Sequence, residues 1–491
     1  MAYPYNKTAY YPTLTQPWYL DVRDWGAKGD GTTDDTTAIQ AALNAADSYG
    51  GGILFFAPLT YLVSGTLYLP NKVYMKGVSG TTNNYTTDRT NFLTRVNTII
   101  KLKANSASGM SMISPKTPND FNSAGVENII LDGGSVPQGS GQFGIKITDT
   151  TTPQRSQSQF RNVVVYQIQG TGFYGGYGQH ELFLDTVAVY GCASDGIVLK
   201  GEDIKGIRIM SGNNTNGVGI KLPGAGSSGM TSGSGRFFDV DSWSNLRGIE
   251  ISDTQNYAFF NLGIDHNRQG GIRLYSTSSP GFNPGRIKIY HGGFSFNSTD
   301  QNNGYSDIKL EGSIPGGYGP YDIALIGCQF EGASSGNKQK YAIEDSSTYP
   351  RRCVVVDGLF VRSNYYSGVS NKPQAIRDCH DYDTAEVLTE AELRYSWITS
   401  NYTLDTLVPG EAFAAVDASG AQRTIYLPSL ASEHAGRVFY VTKADTTTNR
   451  VYISPQSGET INGGTSVYLD GQYEAYMIIH AGTGWIGVKI A

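Results

Sequence analysis

The chain has only four cysteines in 491 residues, Cys192, Cys328, Cys353 and Cys379, with no pair at metal-ligand or redox spacing. That excludes a disulfide framework and a zinc-type cluster, and predicts reduced, buried thiols. No run of Lys or Arg occurs and the net charge is −6, so a nucleic-acid partner is excluded, since phosphate binding needs concentrated basic surface. No apolar run reaches the length of a membrane span, which excludes helical membrane insertion. The first residues lack a basic stretch followed by an apolar one, so no export signal is expected there. Charged residues make up just 16% of the chain. Glycine, at 61, and tyrosine, at 33, are abundant instead, which fits many tight turns between stacked strands and aromatic platforms for sugar rings.

A repeat organises the middle of the chain. Glycine followed by alternating aliphatic residues recurs at Gly144, Gly196, Gly219, Gly248 and Gly271, and 23 residues separate Gly196 from Gly219 and Gly248 from Gly271. Strand starts of one type stand at Phe160, Leu184, Phe237 and Phe259, with steps of 24 and 22 within the first and last pairs. A step of this size is one coil of a three-sheet solenoid, with short strands and turns between them. Longer intervals after residue 275 predict loops at Ser276–Gly285, Asn297–Ser306 and Glu311–Tyr321, the kind of extension that shapes a groove.

Ahead of the repeat lies a helix over Asp34–Ala46, with Asp34 or Asp35 as N-cap and an apolar face of Ala38, Ile39, Ala42, Leu43 and Ala46. One amphipathic helix before so many strands is expected to cover the open end of the solenoid. Residues 383–397 are polar and predict a second helix, with Thr389 and Glu392 at capping-box spacing. From residue 402 a new strand pattern (RTIYLP at 423, RVFYVTK at 437, RVYISP at 450) predicts a small antiparallel sandwich. The domains expected are an N-terminal arm and cap over 1–52, the solenoid over 53–380, a linker helix over 381–401 and the sandwich over 402–491.

The run VRDWGAKGDGTTDDTTAIQAA at 22–42, followed by GGILFFAPLTYLVSGTLYLP at 51–70, resembles the start of the pectate-lyase-like superfamily, in the form found in bacteriophage tailspikes and capsule depolymerases. The resemblance implies an all-β fold, a right-handed parallel β-helix. It implies a role as a tailspike depolymerase that hydrolyses a bacterial surface polysaccharide, capsule or O-antigen. A polysaccharide lyase and a non-catalytic adhesin are the alternatives. It also implies a homotrimer in the virion tail, attached to tail or baseplate proteins. No cofactor and no metal are expected.

Strand alternation nominates the site. With Val240, Ser242, Leu262 and Ile264 inward, Asp239, Asp241, Trp243, Asn261, Gly263 and Asp265 point outward. Aligning Asn245 with Asn267 stacks Trp243 beside Asp265 and Asp241 beside Gly263, with His291 on the next strand. Asp241 and Asp265 then stand as diagonal neighbours roughly 8 Å apart. That separation suits an acid and a base on either side of a water, as in inverting glycosidases. Asp241, Asp265 and Asp239 are the catalytic candidates, and Trp243, His291, Arg268 and Tyr275 the substrate-binding ones. Glu181 and Asp185 form an alternative catalytic pair in a groove between subunits. His266 is expected inward, in the core, and Glu250 with Arg273 is expected to form an outward ion-pair ladder.

Overall fold

The computed structural model describes residues 18–78, 97–117, 121–134, 139–147, 154–155, 157–176, 179–214, 216–224, 233–276, 284–311, 320–332, 339–345, 353–357, 359–361, 366–368, 374–377, 379–381, 387–388, 395–404, 413–430 and 438–490. The chain divides into two compact units, one of residues 1–321, 326–347 and 360–367, the other of 322–325, 348–359 and 368–491. Both are built almost wholly of strands.

The larger unit is a parallel β-helix. Strands Gly125–Asp132, Gln159–Tyr166, Phe183–Tyr190, Ile204–Gly212, Gly235–Trp243, Tyr257–Asp265 and Gly285–Ser295 pair in parallel, each with the next coil. A second parallel sheet runs from Leu67–Leu69 through Ile343–Asp345 to Tyr366–Gly368. Two columns of left-handed residues give the coil its corners. Asn128, Asn162, Thr186, Arg208, Asp239, Asn261 and His291 occupy equivalent positions with φ between 52° and 58°. One such residue turns the strand sharply and lets two successive side chains point outward. Gln167, Gly191, Asn213, Ser244, His266 and Phe296 form the second column, with φ of 50° to 63°. The long strands are thus folded at the first column into two flat faces, which with the second sheet make three.

Apolar residues fill the interior: Phe160, Leu184, Phe237 and Phe259 form one layer, and Val163, Val187, Ile209, Val240 and Leu262 the next. Phe237 and Phe259 stack at 5.3 Å. Inside the second corner runs a polar ladder. Asn214 Nδ2 donates to Asn245 Oδ1 at 2.8 Å, Asn245 to Asn267 at 3.3 Å, Asn267 to Asn297 at 2.9 Å, and Asn297 to Asp307 Oδ1 at 2.9 Å. Each Asn also accepts a backbone N–H of the preceding corner. An unpaired buried amide costs about 1–3 kcal/mol, and from Asn214 to Asn297 this residue type meets that need; Cys192 and Ile168 hold the same position on the two coils before.

The helix spans Thr36–Ser48 and buries Ile39, Ala42, Leu43 and Ala46, as expected. Asp34 Oδ1 accepts the Thr36 N–H, while Asp35, at the N-cap, instead accepts from the N–H groups of Lys28 and Gly29 and fastens the glycine turn. Gln40 lies against the first strand of the second sheet, accepting the Tyr68 N–H at 2.8 Å and donating to the Tyr68 carbonyl at 3.2 Å. A helix side chain thus takes the place of the missing neighbouring strand.

The second unit departs from expectation twice. Described residues within 383–397 form strands, Val387–Leu388 and Tyr395–Ile398, not a helix; Thr389 and Glu392 lie outside the described residues. The C-terminal module does have two sheets around one core, including Phe439, Val441, Ile453, Leu469 and Trp485. Their pairing is mixed, however. Tyr395–Ile398, Phe413–Val416 and Val438–Lys443 pair in parallel, as do Tyr402–Thr403, Arg423–Tyr426 and Val451–Ser454. The final strands, Val467–Leu469, Ala475–His480 and Trp485–Lys489, pair antiparallel. The chain alternates between sheets before closing with hairpins, so coiling persists where an antiparallel sandwich was expected.

Candidate active site

The face between the two corners carries the candidate residues. Asp241 pairs in register with Met210 and Gly263, and Trp243 with Gly212 and Asp265. This is the stacking that the Asn245–Asn267 alignment implies. Gly263 makes room for a neighbour: a Cβ there would stand 2.3 Å from Asp241 Oδ1, so the carboxylate lies across the glycine. Partial desolvation, followed by the charge of Asp239, holds the Asp241 carboxyl above the ordinary carboxylate range. Gly212 does the same for Trp243, whose indole carbon Cε2 would be 2.6 Å from an added Cβ. Tyr190 borders that indole, ring centroids 5.6 Å apart. The Asp241–Asp265 diagonal is kept.

Asp265 is half exposed and holds a neighbour that the sequence pattern placed elsewhere. His266 Nδ1 is 2.6 Å from Asp265 Oδ1, and the ring packs on Phe296 at 4.9 Å. His266 is exposed, at φ 50°, and is not the core histidine that strict alternation predicts. Asp239 sits on the corner, where its Oδ1 accepts from Asn261 Nδ2 at 2.7 Å. His291 occupies the same corner one coil further on, its ring against Gly327, where an added Cβ would be 2.8 Å from Nδ1.

Other candidates are placed apart. Arg268 lies past the second corner, with Nε donating to Asp300 Oδ1 at 2.7 Å. Tyr275 stands on the second sheet, where its hydroxyl donates to Glu250 Oε2 at 3.3 Å and Arg273 covers its ring at 4.1 Å. Glu250 and Arg273 are in register and paired at 3.5 Å, within a network that includes Arg247, Glu311 and Lys309. That ladder was legible. Asp185 lies on the face before the first corner, bonded by Arg208 at 2.8 Å and facing Arg161 at 3.5 Å. Glu181 is in a turn with φ 60°, beside His180, which meets Glu202 at 3.2 Å. The structure joins Asp239, Asp241, Trp243, Asp265 and His291 along one face and its corner. It leaves Tyr275, Glu181 and Asp185 elsewhere.

Among the described residues, no group of three or more His, Cys, Asp or Glu is placed to hold a metal ion, and no helix is long and apolar enough to cross a membrane. Cys192 and Cys328 are buried, and burial pushes the Cys192 thiol up to about 12.

The fold and this outward face define a parallel β-helix with a carboxylate-bearing face, and comparison with known proteins gives its family. Residues 19–262 match the family described as Rhamnogalacturonase A/epimerase, pectate lyase-like, and this part of the chain belongs to the pectate lyase-like family. Alginate lyase 7 of Azotobacter vinelandii is 47% identical over 64 residues, 12% of this chain and 8% of that protein. A glucan 1,3-beta-glucosidase of Cochliobolus carbonum is 43% identical over 67 residues, 14% of this chain and 8% of that protein. The chain thus spans under a tenth of the length of these curated relatives. A double mutant of the tailspike protein of E. coli bacteriophage HK620 superposes with a TM-score of 0.54 at 10% identity, covering 96% of this chain and 92% of that one. That likeness is one of fold.

Proposed function

We propose that this protein is a carbohydrate-active enzyme that hydrolyses glycosidic bonds of a bacterial surface polysaccharide, working at the face of Asp241 and Asp265. One observation carries the reading. Two outward carboxylates stand as diagonal neighbours on adjacent coils, Asp241 across Gly263 and Asp265 beside Trp243. Asp241, whose pKa is raised, suits the proton donor to the leaving oxygen; Asp265 suits the base that activates water. The indole supplies an apolar plane for a sugar ring. Family membership supports the substrate class, as do relatives named alginate lyase and glucan glucosidase, and HK620 tailspike structures are solved with a pentasaccharide. We further propose that the protein acts as a homotrimer in a virion tail, attached to tail or baseplate proteins.

The test is product analysis after incubation with a panel of capsular and O-antigen polysaccharides. Hydrolysis gives shorter chains with one new reducing end per cut. A β-elimination yields ultraviolet-absorbing unsaturated ends and would replace the hydrolase by a lyase. Binding without any shortening would identify an adhesin.

A further inference from the structure

Around the first corner from the candidate active site, the adjoining face carries two parallel rows of another kind. In one, Lys205 pairs in register with Arg236, Arg236 with Ala258, and Ala258 with Lys288. In the other, Ile207 leads to Phe238, Phe260 and Tyr290. Phe238 is 41% exposed, and all three cations are exposed. Among the described residues, no carboxylate pairs with Lys205, Arg236 or Lys288.

This arrangement opposes the rest of the molecule. The net charge is −6, and one coil earlier on the same face Asp185 is flanked by Arg161 and Arg208. Placing two like charges on directly paired residues is unfavourable, so Lys205 beside Arg236 costs the free protein something that an anion would relieve. The aromatic row has the same preference. Phe238 and Phe260 stack at 4.7 Å and 8°, and Phe260 and Tyr290 at 4.8 Å and 3°. Rings stacked so tightly cover one another's faces and present their edges, and the edge is the positive part of the ring quadrupole. Both rows therefore favour negative charge, repeated along the solenoid axis at about 4.8 Å per coil.

We infer that this stripe binds an anionic linear polysaccharide, one bearing carboxylates along its length, and holds it parallel to the axis beside the catalytic face. The partner's polymer class rests on the function proposed above; its charge rests on the stripe alone. Two other occupants fit less well. Single-stranded nucleic acid needs free ring faces for its bases, and these rings offer edges. A second copy would have to bring carboxylates to the stripe; those of the second sheet, Glu250, Glu311 and Glu344, are already paired with Arg247, Arg273, Lys309 and Lys340, and the molecular-mass measurement below tests this occupant.

The experiment uses affinity electrophoresis of the full chain in the Asp241→Asn background, so that cleavage does not intervene. The probes are polygalacturonate, dextran and a single-stranded oligothymidine, at low and high salt. Retardation by polygalacturonate alone, abolished by salt, is expected. The Lys205→Ala/Arg236→Ala/Lys288→Ala variant should bind about tenfold more weakly. A Lys205→Arg/Lys288→Arg variant should bind as the parent does. The inference is overturned if the parent is not retarded by polygalacturonate, if dextran or oligothymidine retards it as strongly, or if the triple-alanine variant is unaffected. It is also overturned if that variant changes molecular mass in light scattering, which would make the stripe a contact between copies. Failure of the active-site reading would show separately, as undiminished cleavage of short oligosaccharides by Asp241→Asn.

Discussion

Asp265 holds His266 through a 2.6 Å contact between Oδ1 and Nδ1, and Trp243, its register partner on the preceding coil, lies beside the same residue. The proposed base is therefore bordered by an imidazole and an indole and faces its acid across a glycine.

Asp241→Asn and Asp265→Asn should each lower polysaccharide cleavage by about 10²–10⁴, the usual loss for a general acid or base. Both side chains point outward, so melting temperature should stay near the parent's. Reducing-end release and thermal unfolding measure the two effects. Cleavage at the parental rate by both variants would move the search to Glu181 and Asp185.

Cleavage should fall as pH rises through the Asp241 pKa, because the donor then loses its proton. Asp239 is the second cause of that raised value, after desolvation. Asp239→Asn keeps an oxygen for the Asn261 amide and removes the charge, so the Asp241 pKa should drop. The alkaline limb of kcat/KM should then shift to lower pH by up to about one unit. A shift of the acidic limb instead, with the alkaline limb unmoved, would reverse the assignment of acid and base.

Gly212→Ala should raise KM more than it lowers kcat. The added methyl meets the Trp243 ring and must lift it from the sheet, while both carboxylates stay in place. A change in tryptophan fluorescence should accompany the weaker binding.

Asp307 ends the asparagine ladder, fully buried, and burial pushes its carboxyl from 3.8 up to about 7 despite bonds from Asn297 and Gln339. The folded state thus prefers the protonated acid. The stability this gives is complete below about pH 4, is lost as pH rises to about 7, and is level above that. Asp307→Asn keeps an acceptor for Asn297 and carries no charge. Its melting temperature should exceed the parent's at pH 8, and the advantage should shrink as pH falls and be gone below about pH 4.

Light scattering at micromolar concentration should give the mass of three 53.0 kDa chains. A stable monomer would remove the trimer from the proposal.

The coil pattern made much of this visible beforehand, for a physical reason. From Asn214 to Asn297 each turn uses an asparagine to satisfy its buried amides, so Asn245 and Asn267 fix the register between their coils and with it the Asp241–Gly263 and Trp243–Asp265 pairs. Where alternation is interrupted, prediction failed. His266 follows Asp265 outward because a left-handed residue spends one position turning the corner, and no rule of two anticipates it. The strand Ile204–Gly212, with Gly212 and Met210 beside the site, was not recognised because it lacks the Phe or Leu start of its neighbours. The C-terminal coils were hidden by unequal loops between Tyr395–Ile398, Phe413–Val416 and Val438–Lys443, whose parallel pairing gives no signal in strand composition.

Gln40 has a consequence for the molecule's behaviour in solution. A β-helix without it would begin with a bare rung, and any rung of a second molecule could dock there by backbone bonds alone. Such growth has no natural end, because every added molecule would offer a fresh end of its own. By engaging the N–H and carbonyl of Tyr68, one amide side chain closes the register at which head-to-tail fibres would start.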